Sequence, residues 1–466
     1  MAELEFFGAA DTVTGSMHLL HVPDGPVSLD CGLFQGRRSE AREKNRTFPI
    51  RPDRIQSILL SHAHIDHSGK IPGLVKRKFN GPVYCTPATA DLCDVMLLDS
   101  AHIQEEDARY WNEKRAKSKA DRIEPLYRQP DAMAAQRLFQ RVPYDESFEF
   151  APHCRARFIE AGHILGSACL LIELDKPQGV TRLLYTGDLG RFNVPILRDP
   201  THPMPEVDYL ITESTYADRV HHNPTDMKEQ LVWIINQTRE AGGKVIIPAF
   251  SVGRTQTVVY YLHRAMAEGL MDPIPIFVDS PLSTNATEIF KKHPECYDQR
   301  ARDFWLQEGD IFGSGMVKYI TAVNESKALN HFHDPCVIIA SAGMCEAGRI
   351  LHHLKNNVED EANTICIVGF MAQNTLGRRI VERREELKIY GRIYKLLARV
   401  EVLNGFSAHA DSRDLRKSFE PIAKNLKAAF CVHGEGPQPR AMQDILEELG
   451  CPNAVIPQPG QKFTLE

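Results

Sequence analysis

Four side chains that commonly bind metal ions lie within six residues of one another. Residues 61–68 read SHAHIDHS, and the metal-binding side chains are His62, His64, Asp66 and His67. Imidazole and carboxylate together favour Zn²⁺ and related ions, and a site with an open coordination position lowers the pKa of a bound water towards neutrality. A surface loop that happens to be rich in His and Asp is the weaker alternative at this density. We therefore expect a hydrolytic site that holds two metal ions side by side.

The elements around this cluster indicate where it lies in the fold. Residues 55–60 read IQSILL, a short apolar run typical of a buried strand, so the cluster begins where a strand ends. In open α/β folds this end of a strand is where ligands bind. Similar short apolar runs alternate with helical stretches through the rest of the chain, which predicts an α/β fold.

Two metal ions need more ligands than this cluster supplies, and the sequence offers them after other predicted strands. His163 follows residues 155–161, and Asp188 follows residues 183–185. A carboxylate can bridge two metals whereas an imidazole binds one, so Asp188 is the predicted bridging ligand. Asp30 ends the run VSLD and is predicted to hold a ligand His or a loop in place. Each residue alone is compatible with a core histidine or a turn aspartate, but their shared position at strand ends favours the metal site.

Composition limits the class of protein. The 466 residues exceed what one hydrophobic core usually holds, so we expect two domains. A content of 43% hydrophobic and 25% charged residues is ordinary for a soluble globular protein. We find no signal peptide and no long apolar segment, so we expect a cytoplasmic protein without membrane association. The eleven cysteines include no C-x-x-C pair and are predicted to be reduced. A net charge of −6 argues against a non-specific nucleic-acid-coating protein, so a nucleic-acid site needs a local positive field.

The pattern of apolar runs changes near residue 217. Four apolar runs there, KVIIPAF, IPIFVDS, CVIIASAG and TICIVGF, predict a parallel sheet whose loops share one edge. After three of them a Gly-Arg pair opens a predicted helix, at residues 253–254, 348–349 and 377–378. Backbone N–H groups at a helix start and an adjacent guanidinium favour phosphate, which makes Arg254, Arg349 and Arg378 candidate phosphate ligands. Salt bridges that anchor loops are the alternative.

The most charged and least apolar segment spans residues 103–136. We interpret it as a solvated helical insertion or a lid.

The ordered set of Asp30, the H-x-H-x-D-H cluster, His163 and Asp188 resembles the five-part signature of the metallo-β-lactamase superfamily. Its members share an αββα sandwich with a dinuclear site at one edge. Three further motifs resemble motifs A, B and C of the β-CASP nucleases, namely Glu213 in ITEST, His409 in GFSAHAD and His433 in CVHGEG. The chain is identified by this resemblance as a member, which implies a lactamase domain (residues 1–216 and 403–466) and an inserted β-CASP α/β domain on a mainly parallel sheet (residues 217–402).

The resemblance also implies a ligand set and a mechanism. It implies two Zn²⁺ ions, with Mn²⁺ as the alternative, and a hydroxide between them as the nucleophile. The first metal is held by His62, His64 and His163, the second by Asp66, His67 and His433, and Asp188 bridges them. His409 is the implied general acid for the leaving oxygen, oriented by Glu213, and a purely structural hydrogen bond is its alternative role.

RNA is the implied substrate, because RNA-acting members carry His at motif C, as this chain does at His433, where DNA-repair members carry Val. We expect the RNA to be single-stranded. Cleavage is expected to leave a 3′-hydroxyl and a 5′-phosphate. Ser341 and Gly343, in a strand-end loop, join the three arginines as candidate phosphate contacts. The sequence does not distinguish endonuclease from 5′→3′ exonuclease activity. It also leaves open whether the protein forms a homo-oligomer.

Two other functions compete with this interpretation. A hydrolase of small esters or thioesters with the same fold explains the metal cluster but gives Glu213 and His409 no purpose. A catalytically silent RNA-binding subunit is the second alternative, and such proteins lose metal ligands that this chain keeps.

Overall fold

The computed structural model describes residues 2–36, 38–114, 122–177, 179–221, 224–313, 315–369 and 371–466. The chain forms two compact units, the first comprising Met1–Phe192, Asp199–Val220 and His409–Glu466, the second Asn193–Arg198 and His221–Ala408. The predicted domain boundaries differ from these units at residues 193–198, 217–220 and 403–408, which they assign to the opposite unit. The lactamase and β-CASP domain ranges given above stay a prediction.

The strands are, in chain order, β1 (Ala2–Gly8), β2 (Met17–Val22), β3 (Gly25–Leu29), β4 (Ile58–Leu59), β5 (Val83–Cys85), β6 (Phe139–Arg141), β7 (Ser147–Ala151), β8 (Cys154–Glu160), β9 (Ala168–Lys176), β10 (Gly179–Tyr185), β11 (Tyr209–Glu213), β12 (Val245–Pro248), β13 (Ile276–Asp279), β14 (Val317–Tyr319), β15 (Val337–Ala340), β16 (Thr364–Ile367), β17 (Glu386–Ile389), β18 (Arg392–Lys395), β19 (Arg399–Val402), β20 (Ala428–Val432), β21 (Ala454–Val455) and β22 (Lys462–Leu465).

The α-helices are α1 (Arg38–Arg46), α2 (Ile65–Ser68), α3 (Ile71–Lys76), α4 (Pro87–Lys114), α5 (Gln129–Gln136), α6 (Pro224–Glu240), α7 (Arg254–Ala267), α8 (Pro281–Lys292), α9 (Gln299–Glu308), α10 (Val323–Ala328), α11 (Ile350–Asn357), α12 (Leu376–Val381), α13 (Ser412–Phe419) and α14 (Gln438–Glu448).

The first unit contains two seven-stranded sheets with a shared core. Their strand orders are β22-β1-β2-β3-β4-β5-β6 and β21-β20-β11-β10-β9-β8-β7. Alternate side chains of both sheets point into one buried cluster, in which the rings of Phe6 and Phe430 lie 5.1 Å apart. Helices α13 and α14 cover the other face of the second sheet through residues such as Phe419 and Leu446, and α4 contacts β6 of the first. The predicted αββα sandwich is confirmed.

The sheet order brings several strand ends to the same edge. In the second sheet β10, β11 and β20 are parallel, and β8 runs in the same direction because it is antiparallel to β9, which is antiparallel to β10. In the first sheet β3 is parallel to β4. The strand predicted over residues 55–60 is shorter, Ile58–Leu59, because the ladders to β3 and β5 include only these two residues.

The second unit is built on a parallel sheet of six strands, as predicted. Its order is β14-β13-β15-β12-β16-β19, and every described pair in it is parallel. The four apolar runs of the sequence correspond to β12, β13, β15 and β16. Their β-branched residues, such as Ile246, Ile338 and Ile365, are fully buried, as expected of a sheet covered on both faces.

Three further expectations concern the whole chain. The charged segment 103–136 is helical in the end of α4 and in α5, residues 115–121 lie outside the described residues, and its role as an insertion or lid stays a prediction. All eleven cysteines are buried free thiols. Within the described ranges, none of the helices combines the length and apolar character that a membrane span requires.

Candidate metal centre

The predicted ligands meet at the edge where the strands of the first unit end. His62 and His64 follow β4, and the short helix α2 then carries Asp66 and His67. The remaining ligands come from later strands: His163 follows β8, Asp188 follows β10 and His433 follows β20. The structure therefore brings together residues that are up to 371 positions apart in the sequence, as between His62 and His433.

Four of these residues form a first group. Nε2 of His62 lies 3.1 Å, and Nε2 of His163 3.2 Å, from Nδ1 of His64. Both Nε2 atoms lie 3.4 Å from Oδ2 of Asp188. One ligand atom from each of the four residues lies within 4.8 Å of the others, which is the spacing of ligands around one metal ion.

Asp66, His67 and His433 form a second group with the same spacing. Nε2 of His67 lies 3.2 Å from Nε2 of His433 and 3.2 Å from Oδ1 of Asp188. The two carboxylate oxygens of Asp188 thus face different groups, Oδ2 the first and Oδ1 the second. This is the geometry that a bridging carboxylate requires.

The donor atoms fit divalent metal ions better than they fit a hydrogen-bond network. Nδ1 of His64 is approached by two imidazole nitrogens, and lone pairs that converge on one point suit a cation. Oδ1 of Asp188 is buried and makes no hydrogen bond within the part of the chain that the structure describes. Imidazole and carboxylate donors are those that Zn²⁺ and its neighbours prefer. The cluster is a candidate divalent-metal site.

Burial keeps the first group of imidazoles unprotonated. It lowers the pKa of His62 to about 4 and that of His64 to about 3, and it holds the pKa of His163 well below its ordinary value. Burial opposes ionisation of Asp188 as well, but the surrounding histidines outweigh it and hold the pKa of this carboxyl well below its usual range. Neutral imidazoles and an ionised carboxylate are the forms that bind metals.

Asp30 organises the floor of the site. Its Oδ1 accepts the backbone N–H of Ser61 at 2.7 Å, and its Oδ2 accepts the hydroxyls of Ser61 at 2.8 Å and Tyr185 at 2.6 Å. The same Oδ2 lies 2.6 Å from Nδ1 of His67, so the ring presents Nε2 to the second group. Asp30 holds a φ of +58°, an uncommon conformation for a residue other than glycine.

Sequence reasoning missed three partners of these ligands. Ser61 and Tyr185 bind Asp30, and Oγ1 of Thr215 lies 3.1 Å from Nδ1 of His433. Their positions carried a signal: Ser61 precedes the cluster, Tyr185 ends the strand before Asp188, and Thr215 follows Glu213 by two residues.

His409 and Glu213 form a hydrogen-bonded pair beside the candidate metal ligands. Nδ1 of His409 is 3.0 and 3.2 Å from the two carboxylate oxygens of Glu213, and 3.9 Å from Oδ2 of Asp188. Oε1 of Glu213 also accepts the backbone N–H of Leu189 at 2.6 Å, which fixes the carboxylate. Burial disfavours the imidazolium of His409, but Glu213 and Asp188 outweigh burial and raise its pKa to about 9. The His409 side chain remains 22% exposed, so it can contact a bound molecule.

Glycines let the loops of the site approach closely. A Cβ on Gly32 would lie 1.5 Å from the carbonyl oxygen of Asp66, and one on Gly190 would lie 1.9 Å from that of Gly162. Only glycine fits at these two contacts, which hold the loop after β3 against α2 and the loop after β10 against the one after β8.

The candidate phosphate contacts all belong to the second unit. α7 begins at Arg254 after Gly253, whose φ is +81°, and Arg349 immediately precedes α11. The expectation that a Gly-Arg pair opens the third helix is wrong. α12 begins at Leu376, so Gly377 and Arg378 lie in its first turn, because Thr375 caps the helix by accepting the N–H of Arg378 at 3.1 Å.

The contacts of these side chains differ. Arg349 donates to Asp279 at 2.6 Å and to the carbonyl of Ile320, which is the loop-anchoring geometry. Nε of Arg378 donates to Glu382 at 2.9 Å on the helix surface. The guanidinium of Arg254 lies 5.5 Å from the ring centre of Phe406.

In the strand-end loop after β15, the hydroxyl of Ser341 donates to Ser280 at 2.9 Å, and a Cβ on Gly343 would lie 2.9 Å from the ring of Phe250. The phosphate role of Ser341, Gly343 and the three arginines stays a prediction.

Three known families match successive parts of the chain. Residues 12–222 match the metallo-β-lactamase superfamily, residues 255–380 match the β-CASP domain, and residues 393–457 match the Zn-dependent metallo-hydrolase RNA specificity domain.

The similar proteins include a ribonuclease and termination factors. The chain is 34% identical to ribonuclease TTHA0252 of Thermus thermophilus, over 95% of this chain and 96% of the relative. It is 30% identical to the transcription termination factor FttA of Methanosarcina mazei, over 92% of this chain and only 66% of that relative's length. A crystal structure of a protein of unknown function from Enterococcus faecalis covers the whole chain with a TM-score of 0.57 at 13% identity, which bears on the fold alone.

Proposed function

The chain belongs to the β-CASP family of the metallo-β-lactamase superfamily, and we propose that it hydrolyses phosphodiester bonds of single-stranded RNA at its metal centre. One observation supports this most: the two oxygens of Asp188 face two groups of candidate metal ligands, beside a Glu213–His409 pair. A hydrolysed phosphodiester needs both a strong nucleophile and a protonated leaving oxygen. The two ligand groups, with metal bound, would supply the nucleophile. His409 would supply the proton for the leaving oxygen.

We propose two Zn²⁺ ions per chain. The first would be held by His62, His64 and His163, the second by Asp66, His67 and His433, with Asp188 shared. Five imidazole ligands favour zinc over magnesium, and manganese is the alternative. When bound, the two ions would supply an activated water and neutralise charge on the phosphoryl oxygens.

The chain's own residues would then complete the reaction. His409 would donate a proton to the leaving 3′ oxygen, which gives a 3′-hydroxyl and leaves the phosphate on the 5′ end of the other product. Glu213 would orient the imidazole and keep it protonated, since the pair is held at 3.0 Å and Glu213 is itself fixed by the N–H of Leu189. Asp30 would keep the tautomer of His67 that binds metal.

RNA as the substrate is supported by the match to the RNA specificity domain and by the name of the ribonuclease relative. A small-ester hydrolase would need the metal groups but not the Glu213–His409 pair. A silent RNA-binding subunit would not need the complete ligand set. Both alternatives predict different products, so one experiment separates them.

The experiment is digestion of 5′-labelled, 3′-labelled and circular single-stranded RNA side by side with small ester and thioester substrates. Metal content is measured on the same sample. We expect RNA cleavage with 5′-phosphate products; cleavage of the circle would assign endonuclease activity, and cleavage of linear RNA alone would assign exonuclease activity. Turnover of esters alone, or two metals without any RNA cleavage, would contradict the proposal.

We further propose that Arg254, Arg349, Arg378 and the loop with Ser341 and Gly343 contact RNA phosphates. The contacts above favour Arg378 for a test, because its only described partner, Glu382, lies on the helix surface. Arg378→Ala should weaken RNA binding at several salt concentrations. Arg384→Ala is the matched control, since Arg384 pairs with the same Glu382 at 3.0 Å. Unchanged affinity in Arg378→Ala would rule this residue out.

A further inference from the structure

A cavity of about 400 Å³ lies in the first unit, next to the helix that follows the metal-binding loop. Its lining includes four basic side chains, Arg46, Lys70, Lys76 and Arg77, and the ring of Phe48. Three of these cations lie on or beside α3, and the fourth ends α1. The cavity is therefore locally basic, although the chain as a whole has a net charge of −6.

The four basic side chains have no acidic partner within the described ranges. Lys70 is only 9% exposed, and its ammonium donates to the carbonyl of Thr47 at 2.9 Å and lies 4.6 Å from the ring centre of Phe48. Among the described residues, no carboxylate forms an ion pair with any of the four cations. The acidic residue in the lining, Glu124, is paired with Arg128 at 2.7 Å.

The ammonium of Lys70 donates to two carbonyls, of Thr47 and Lys44, but it has no carboxylate partner among the described residues, and a bound anion would reduce the cost of burying its charge. The surrounding cations are also held in place. Nζ of Lys76 donates to the carbonyl of Leu126 at 3.1 Å, and the guanidinium of Arg77 stacks 5.1 Å from the ring centre of Phe48. Lys76 and Arg77 thus line the cavity with donors to spare, since an ammonium has three and a guanidinium five.

The cavity is tied to the metal site by the backbone. The N–H of Lys70 donates to the carbonyl of Cys31 at 2.9 Å, and the N–H of Cys31 donates to that of His67 at 2.7 Å. Lys70 follows His67 by three residues, so their Cα atoms lie within about 11 Å of each other. The segment from His67 to Lys70 therefore joins a candidate metal ligand to the lining of this cavity.

We propose that this cavity binds a backbone phosphate of the RNA, away from the bond that is cleaved. The inference rests on the proposed function for the identity of its ligand. Phosphate is favoured over a carboxylate ligand because its several oxygens can accept from more than one of the converging donors at once.

The test compares two charge-matched variants of the full chain. Lys76→Glu/Arg77→Glu reverses two cations of the cavity. Arg54→Glu/Lys424→Glu reverses two exposed cations of the same unit outside it. Affinity of the metal-loaded full chain for a fluorescent single-stranded RNA is measured between 50 and 200 mM salt, with His409→Ala added to every variant so that turnover is slow.

We expect the cavity variant to bind RNA at least tenfold more weakly, with the slope of log K against log salt reduced by about 1.4, the value for two lost contacts on a single strand. The control should stay within about twofold. Equal losses in both variants, or none in the cavity variant, would overturn the proposal. So would saturable binding of inorganic phosphate that the cavity variant loses while its RNA affinity is unchanged. Failure of the proposed function would instead appear as intact wild-type RNA in the presence of metal, whatever the binding results.

Discussion

Replacing Asp30 by Asn is expected to weaken metal binding without touching a ligand. The side chain keeps its shape, and its Oδ1 can still accept the N–H of Ser61 at 2.7 Å. The amide nitrogen replaces Oδ2, however, and cannot accept a hydrogen bond from Nδ1 of His67, which lies at 2.6 Å. The ring is then favoured as the tautomer with its proton on Nε2, the atom that must face the metal.

The magnitude follows from the number of contacts that change. Loss of a partner that orients a ligand typically costs 10- to 100-fold in metal affinity, or about 1.4–2.7 kcal/mol. The hydroxyls of Ser61 and Tyr185 can rotate to accept from the new amide, so their loss adds little. The hydrogen bond between the carboxylate and His67 is charge-assisted, and its removal should also lower stability by roughly 1.5–3 kcal/mol.

The assay is competition with a chelator of known affinity, read as metal retained per chain. Asp411→Asn is the control, because Asp411 is a buried aspartate of the same unit that caps α13 by accepting the N–H groups of Arg413 and Asp414. Asn keeps the capping oxygen, so this variant should stay folded and leave metal affinity unchanged. Wild-type metal affinity in Asp30→Asn, or an equal loss in Asp411→Asn, would refute the reasoning.

Two further predictions concern the proton donor and the second unit. His409→Ala and Glu213→Gln should each slow RNA cleavage by about 10²–10⁴-fold, and slow a phosphodiester with a p-nitrophenol leaving group much less; equal losses would refute a general-acid role. Burial opposes ionisation of Asp279, but hydrogen bonds from His353 and Arg349 outweigh it and hold the pKa of this carboxyl below its usual value, so its stabilising effect is present above pH about 4 and is lost as pH falls further. Asp279→Asn should therefore lower the melting temperature at pH 7, and its difference from the wild type should shrink below pH 4; a constant difference down to pH 3 would contradict this.

The part of the site that sequence alone could predict is local. Four ligands are close together in the sequence: His62, His64, Asp66 and His67. A short apolar run that is typical of a buried strand precedes them. Parallel strand order brings the ends of such strands together, which is why His163 and Asp188 could be added without knowledge of the structure. The fold class followed from the same alternation of buried runs and helices.

The part that sequence alone could not predict depends on long-range register. The hydroxyl of Tyr185 meets Asp30 across 155 positions, and His67 meets His433 across 366. Nothing in either local segment encodes the partner, because the contact arises from how the two sheets pack and how β20 joins the second sheet. His433 was reached only through resemblance to a family, and Tyr185 and Thr215 were missed.

The error at residues 377–378 has a different origin. The Gly-Arg pair at residues 377–378 predicts a helix start there, as do the pairs at 253–254 and 348–349. Thr375 is the better N-cap, because its hydroxyl can accept the N–H three residues later whereas glycine offers no side-chain acceptor. The capping residue was visible in the sequence and was outweighed by a repeated dipeptide.

We propose that RNA is cleaved at the centre formed by the two ligand groups around Asp188. The most direct test is the rate of RNA cleavage by Asp66→Ala, measured on protein shown to be folded by its circular dichroism and melting curve, with metal content determined on the same sample. We expect loss of metal from the second group and cleavage at or near background. Full cleavage activity in this folded variant would contradict it.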